Sequence, residues 1–359
     1  MTADARIGDH AVIGGGPAGA MLAAGLARAG GSVTLLERSD GPVHKICGEF
    51  LSWEACALLR REGVDLDALG GAAIDRLRIV AGNRSAGTPL PGTALGISRF
   101  RLDEALLTHA GRCGASIWRG THVRALEGDM IRLADGTRLR PSRLWLATGK
   151  ADVRGAARDP AGQKVTRDLV GFKLHLDLAV ADQRDLIRTI ELHRLPDGYA
   201  GLQPIEEGRA NLCLLVSEEV AADGWEGVRA YLSRVAPALD GRLRRGRALY
   251  DQPLAISRVP YGYVDRGAAG PVRVGDQLAV IHSFTGDGMA IAIASGIAAA
   301  ASAENPEPAA RKQLHNMVRK PVGRAAFLYH MLANGGMAFN AVMTVPALAR
   351  MAAHLTRIA

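Results

Sequence analysis

Short apolar runs alternate with small-residue stretches along the first third of the chain. His10 to Ile13 is an apolar run of strand length, and Pro17 to Ala29 is an Ala-, Gly- and Leu-rich stretch of helical length. Val33 to Leu36 reads as a second strand, and Glu49 to Arg61 as a helix. Asp75 to Val80 has strand character, whereas Gly82 to Gly96 reads as a turn-rich crossing. Ser98 is placed to cap a helix that begins at Arg99 and runs through Leu107. Ser116 to Leu139 alternates like hairpin strands, turning at Glu127-Gly128-Asp129 and at Asp135-Gly136. Leu144 to Ala147 is a further buried strand.

From about Val165 the pattern changes. Val170–Ala179, Arg188–Leu195, Gly201–Ile205 and Ala210–Val216 are short strands, followed by a helix over Trp225–Arg234 and a strand over Pro253–Tyr261. They predict an antiparallel sheet covered on one side. The chain returns at Val272, and beyond Glu304 it looks helical, broken at Pro321 and at Gly335-Gly336. The fold class expected is α/β: a Rossmann-like domain with an inserted antiparallel β-sheet domain and a helical C-terminal segment. The nucleotide-binding domain comprises residues 1–75, 97–164 and 266–303. The crossing is 76–96, the inserted substrate domain 165–265, and the C-terminal helices 304–359.

The first turn carries the clearest chemistry. Between strand and helix lies Gly14-x-Gly16-Pro17-Ala18-Gly19. The first glycine allows a tight turn, the second admits a pyrophosphate to the backbone, and the third lets the helix pack on the strand. The helix N-terminus then faces the phosphate charge. Glu37 ends the second strand at about the 20-residue spacing of a ribose-binding carboxylate. Two further segments follow in order: Ala147-Thr148-Gly149, then Gly275-Asp276 with His282 and Gly286-Asp287-Gly288-Met289. The three together describe one long flavin dinucleotide, FAD, held from end to end.

Composition narrows the partners. The chain has 359 residues, 48% of them hydrophobic, enough for two domains sharing an interface. Its formal charge of +8 is dispersed, and the densest basic run, Arg242 to Arg247, has no aromatic residues interleaved. That excludes nucleic acid as an expected partner and suits a phosphate-bearing cofactor or an anionic membrane. The cysteines Cys47, Cys56, Cys113 and Cys213 have no CxxC spacing, so neither a metal site nor a disulfide framework is expected. The N-terminus lacks a signal-peptide core, and the longest apolar run, Met289 to Ala303, is shorter than a membrane span. The expectation is a cytoplasmic protein.

These segments resemble the flavoprotein monooxygenase superfamily with the para-hydroxybenzoate hydroxylase fold, which also contains geranylgeranyl reductases and flavin-dependent halogenases. The resemblance runs to about Ala300 and is specific in the cofactor segments. It implies that Gly14, Gly16 and Gly19 meet the pyrophosphate, Glu37 the adenosine ribose, and Arg38 the flank of the adenosine. Val123 would meet the adenine through its backbone, Arg99 the ribityl-phosphate region, and Asp276 the ribityl hydroxyl. Gly286 and Gly288 would bring helix N–H groups to the isoalloxazine N1–C2 carbonyl. The loop Lys45-Ile46-Cys47-Gly48-Glu49 resembles the Cys-Gly loop beside the flavin in geranylgeranyl reductases. Gly48 would pass close to the ring, and Cys47 is either a functional thiol or an apolar filler.

The departures bear on chemistry. Geranylgeranyl reductases carry Tyr-x-Trp-x-Phe-Pro in the substrate sheet, where this chain has Tyr199-Ala-Gly201-Leu202-Gln203-Pro204. The halogenase Trp-x-Trp-x-Ile-Pro signature is absent. Position 282, proline in the hydroxylases, is His282, a candidate acid or base beside the flavin. His44, His175 and His193 read as ordinary surface or sheet residues.

The primary expectation is an FAD-dependent monooxygenase that hydroxylates a hydrophobic aromatic, polyketide or lipid-like substrate. Tyr199, Leu202, Gln203 and Pro204 are its candidate substrate contacts, and His282 and Cys47 its candidate catalytic residues. The alternative is a flavin-dependent reductase of carbon–carbon double bonds; a third reading is a flavin redox partner without turnover. No second GxGxxG unit is present, so NADH or NADPH would bind transiently as electron donor, or a separate reductase would supply electrons. The C-terminal stretches Ala325–Leu332 and Ala338–Ile358, with Arg350, His354 and Arg357, would close the cavity or rest on a membrane surface as a peripheral contact.

Overall fold

Strands buried on both faces must be largely apolar, and three segments meet that demand apart from His10, Thr34 and Arg143. In the computed structural model, which describes residues 4–5, 7–267 and 270–333, these are β2 (His10–Ile13), β3 (Val33–Leu36) and β11 (Arg143–Leu146). With β7 (Ser116–Trp118) and β18 (Val272–Arg273) they form a parallel sheet of order β18-β11-β2-β3-β7. One face carries α1 (Pro17–Arg28) and α3 (Arg99–Arg112), with α7 (Gly288–Ala301) packed on α1. Met21, Leu22, Leu102, Leu106 and Ile293 are buried there. Ser98 caps α3 as expected, its Oγ accepting from Arg101 N at 3.3 Å. A small sheet of β1 (Asp4–Ala5), β10 (Arg138–Leu139), β9 (Met130–Leu133) and β8 (Val123–Glu127) lies beside it.

The second layer is a nine-stranded sheet of order β16-β12-β15-β14-β13-β5-β6-β4, with β17 also paired to β12. Its strands are β4 (Phe50–Leu51), β5 (Ala72–Ala81), β6 (Arg84–Gly96), β12 (Leu169–Asp177), β13 (Thr189–Leu195), β14 (Gly198–Pro204), β15 (Ala210–Ser217), β16 (Arg247–Ala248) and β17 (Leu254–Ile256). The predicted antiparallel character holds except at β13 and β5, which pair in parallel. Alternation gives the central strands two faces. Phe172, Leu174, Leu202, Leu212 and Leu214 point into a core closed by α5 (Gly224–Val235) and α6 (Pro237–Arg245). The intervening residues face the nucleotide-binding domain.

Several expected boundaries change. Gly82–Gly96, read as turns, is mostly the long strand β6. Its prolines Pro89 and Pro91 lie where β4, paired only at Leu95 and Gly96, no longer flanks it, so no ladder donor is lost there. The helix expected from Glu49 starts later: Phe50–Leu51 is strand, and α2 (Trp53–Arg61) is capped by Ser52. Ser116 belongs to the parallel sheet rather than to a hairpin. Only Leu254–Ile256 of the expected Pro253–Tyr261 strand forms, and α4 (Val180–Asp185) and α6 are additional helices. The helix α8 (Glu307–Ala333) continues through Pro321. A proline there costs about 3 kcal/mol, but Leu314, Val318, Val322 and Ala325 keep one buried stripe on both sides of it. The expected helix over Ala338–Ile358, with Arg350, His354 and Arg357, lies outside the described residues.

The densest basic run is neutralised in place. Arg242 bonds Glu191 at 2.9 Å and pairs with Asp185; Arg245 bonds Asp182, Arg244 bonds Asp240, and Arg247 pairs with Asp177. Among the described residues no helix is long and apolar enough to cross a membrane.

Candidate functional site

The two layers meet over a cavity with ≈ 1060 Å³ of empty volume, part of it open to solvent. Its floor is the first glycine turn. Gly14 has φ +107, and a Cβ there would lie 2.4 Å from the Ala147 carbonyl oxygen. A Cβ on Gly19 would lie 1.9 Å from Gly14 O, so only glycine lets α1 approach the strand. The N-cap residue of α1 is Gly16 and that of α7 is Asp287, and neither gives its helix a side-chain cap. Both helix starts therefore keep N–H donors for an anion. Glu37 is buried behind the turn, accepting from Gly15 N at 2.7 Å and Ser39 N at 3.0 Å. Burial alone would raise its pKa; the Lys45 charge and these two N–H bonds bring it below the usual carboxylate value. These features fit an adenosine ribose, a pyrophosphate and a flavin in sequence.

Most of the predicted cofactor residues converge. Gly16, Pro17, Ala18, Cys47, Gly48, Arg99, Ala147, Gly149, Gly275, Asp276, Gly286, Gly288 and Met289 line the cavity. Arg99 lies beside the Gly16 turn and Cys47, bonding Asp103 at 2.6 and 2.7 Å. Lys45 Nζ is 3.9 Å from Glu37. Thr148 turns its hydroxyl to Ala151 O at 2.6 Å, outside the lining, and Arg38 is exposed. Val123 opens β8, half-buried at the edge of the small sheet.

Strand parity corrects the substrate residues. Tyr199, Gly201 and Gln203 share one face of β14, and Ala200, Leu202 and Pro204 the other, because side chains alternate. Leu202 is fully buried in the core under α5. Pro204 lines a separate groove beside Leu186 and Ile187. Gln203 faces the cofactor layer but is spent on the loop, donating to Glu49 O at 2.7 Å. Tyr199 does not line the cavity and meets Phe284 edge-on at 6.2 Å.

His282 departs from its expected setting. Its ring is 2% exposed and stacks between Tyr329, at 4.2 Å and 13°, and Tyr261, at 5.4 Å and 19°. It does not line the cavity, and among the described residues no histidine does. Burial, then the nearby His330, pushes its pKa down to about 4. The folded state thus favours the neutral ring. Stability from this site is fully present above pH 6.5 and is lost as pH falls from 6.5 toward 4, at up to about 1.4 kcal/mol per pH unit. Denaturant titrations should show that loss in the wild type and a flatter profile in His282→Phe, which preserves the stack. Parallel profiles would refute the assignment.

The pattern missed a buried polar cluster. Glu49 adopts φ 57 and is fully buried, with Oε1 accepting from Arg99 N at 2.8 Å and paired to Lys173, itself fully buried. Its Oε2 lies 2.6 Å from His175 Nε2, and His175 Nδ1 lies 2.9 Å from Tyr250 Oη. Burial would raise the Glu49 pKa, but the His175 hydrogen bond and the Lys173 charge hold it below the usual value. His175 is therefore a structural partner rather than an ordinary sheet residue, and His193 likewise bonds buried Glu191 at 3.1 Å. Exposed His44 stacks on Phe100 and meets His175 edge-on at 5.0 Å. Several cavity residues were also missed, among them Lys150, 3.5 Å from Asp276, and the pair Tyr261 and Ser283, whose hydroxyls are 3.2 Å apart.

A glycine turn, a buried carboxylate behind it and a helix start without a side-chain cap beside an apolar chamber suit a flavin dinucleotide. Residues 9–138 match the family described as FAD binding domain. The chain is an FAD-dependent oxidoreductase with the fold shared by flavoprotein monooxygenases, flavin-dependent halogenases and geranylgeranyl reductases. It is 28% identical over 325 residues to a menaquinone reductase of Mycobacterium tuberculosis, covering 81% of this chain and 75% of that protein. A geranylgeranyl bacteriochlorophyll reductase-like protein of Thermoplasma acidophilum superposes with TM-score 0.74 at 21% identity, over 99% of this chain and 94% of that one. A flavoprotein/dehydrogenase of Cytophaga hutchinsonii gives 0.78 at 17%, over 98% and 93%.

Proposed function

We propose that the protein is a flavin-dependent reductase of an elongated, lipid-soluble substrate of the menaquinone or isoprenoid kind. The observation that carries this reading is the character of the cavity: apolar walls and a protonated phenol, with no histidine base among the described lining residues. Gly171 and Leu215 from the sheet, Ile256 from β17 and Val280 and Ile281 before α7 supply the walls. Burial pushes the Tyr261 phenol up to about 12, so it is protonated at neutral pH. The Ser283 hydroxyl donates to the Tyr261 oxygen, leaving the phenol hydrogen for the cavity. Reduced FAD would supply the hydride; Tyr261 would supply the proton that completes the saturation. The similarity to a menaquinone reductase supports this substrate class, as does the resemblance of the Cys47-Gly48 loop to the Cys-Gly loop of geranylgeranyl reductases. Hydroxylation of the same kind of substrate is the second reading, because an apolar chamber also protects an oxygen-activating centre. Whether the electrons come from NADH, NADPH or a separate reductase is part of the same proposal.

The decisive experiment is anaerobic. FAD reduced photochemically in the protein should be reoxidised by added menaquinone without oxygen, giving a product that has gained two hydrogens and keeps them after its quinol ring is reoxidised in air. A requirement for oxygen and a product carrying an added oxygen atom would establish the hydroxylase instead. Gly171→Phe tests the wall. A Cβ at Gly171 already comes within 3.2 Å of Ile256 Cγ2 and Leu215 Cδ2, so a ring must enter the chamber. We expect kcat/KM to fall at least about tenfold, roughly 1.4 kcal/mol, with the bound-flavin spectrum unchanged. Unaltered kcat/KM would place the substrate elsewhere.

A further inference from the structure

The loop beside the flavin is held by an unusual number of side chains from one sheet. Five successive carbonyls, from Lys45 to Glu49, each accept a hydrogen bond from another element. Lys173 Nζ donates to Lys45 O at 2.9 Å and Lys150 Nζ to Ile46 O at 3.4 Å. The Asn211 amide donates to Cys47 O at 3.2 Å and Gly48 O at 2.8 Å. Gln203 donates to Glu49 O at 2.7 Å, joined there by Ile97 N at 3.0 Å. The loop has little structure of its own: Glu49 N finds only Cys47 Sγ, at 3.4 Å. Its conformation is imposed from outside, including the left-handed φ of Glu49, which a non-glycine residue adopts only when its surroundings demand it.

The donors are ordered by register. His175, Asn211 and Gln203 form one rung across β12, β15 and β14; Lys173, Cys213 and Gly201 form the next; Gly171, Leu215 and Tyr199 form the third. All three rungs face the cofactor layer. Asn211, Gln203 and Lys173 of the first two hold the loop, and Gly171 and Leu215 of the third, with Cys213, wall the apolar chamber. Lys173, Asn211 and Gln203 are each 1% exposed or less, so water does not compete for these bonds.

We propose that Lys173, Asn211 and Gln203 are positioning residues for the flavin: the strands that wall the substrate chamber also fix the backbone of residues 45–49 at the ring's edge. The substrate wall and the flavin's electronic setting are thereby one mechanical unit. Nothing in this depends on whether the substrate is reduced or hydroxylated.

The test is Asn211→Leu, similar in branched shape and without donors, with Gln203→Met as a second, milder variant whose target carbonyl keeps the Ile97 bond. Both are prepared as FAD-loaded full chains. Asn211→Leu should shift the oxidised-to-reduced flavin equilibrium about tenfold, near 30 mV for a two-electron couple, with Gln203→Met moving it less and in the same direction. Hydrogen exchange of the FAD-free proteins should speed up at Ile97 and Arg99, whose amides are held by Glu49 of the loop, while the amides of α1 stay protected. If Asn211→Leu does not fold, Gln203→Met decides alone on the same two measurements. Unchanged potential and unchanged exchange at Ile97 and Arg99 overturn the proposal. So does exchange that rises equally across the whole chain, which marks a merely structural residue.

Discussion

Lys173→Met should destabilise the folded protein by about 3–5 kcal/mol, the loss expected when one partner of a buried ion pair is removed. Glu49 and Lys173 are both fully buried, and no solvent reaches the carboxylate once the ammonium is gone. The His175 ring and the Arg99 amide still hydrogen-bond the carboxylate, but the cation seated on Oε1 is lost. The double variant Lys173→Met with Glu49→Gln removes both charges and should recover most of that stability. Urea denaturation of the four proteins forms a thermodynamic cycle. A single variant that costs less than about 1 kcal/mol, or a double variant no better than the single, would show that the pair carries no buried charge interaction.

FAD affinity should fall about ten- to a hundredfold or more in Glu37→Ala. Each hydrogen bond lost to a buried polar group costs about 1–3 kcal/mol, and this carboxylate makes one of them to the turn, at Gly15, and a second to Ser39 beside it. The loss is therefore twofold in origin: the ribose partner disappears, and the turn that presents N–H groups to the pyrophosphate loosens. Glu37→Gln, which keeps one acceptor, should fall between. Equilibrium dialysis with released FAD measures it, and mass analysis identifies the cofactor. Undiminished binding in Glu37→Ala would remove Glu37 from the site.

What could be read from the chain alone was what is written locally. The glycine turn, the Ser98 cap and the apolar strands β2, β3 and β11 all announce themselves within a dozen residues, because tight turns, caps and buried strands each constrain neighbours in sequence. The Glu49 cluster is different. Glu49 meets His175 126 positions away, and both look ordinary in their own surroundings. Only the pairing of two layers makes them partners. The strand β6 was hidden because its prolines are tolerated on an unpaired edge. The substrate residues show a third kind of loss. Consecutive positions 202, 203 and 204 were all taken for the cavity, yet a strand cannot present neighbours to one side. Period two separates Gln203 from Leu202 and Pro204, while which set faces the flavin is decided by the helices α5 and α6. His282 sits close to the site in sequence and packs away from it, because two tyrosines from distant elements enclose the ring.

The cofactor-binding sheet is assembled from pieces far apart in the chain: β18 at Val272–Arg273 docks beside β11 at Arg143–Leu146, and α7 then closes over α1. Such a domain cannot mature as it leaves the ribosome. While the first half emerges, its apolar edge at β11 and the bare face of α1 must wait for a segment translated well over a hundred residues later. The intervening sheet can meanwhile order around its own core beneath α5 and α6. The cavity draws its lining from both ends of that span, from Gly16 to Met289, so it is complete only when the last of these segments has docked.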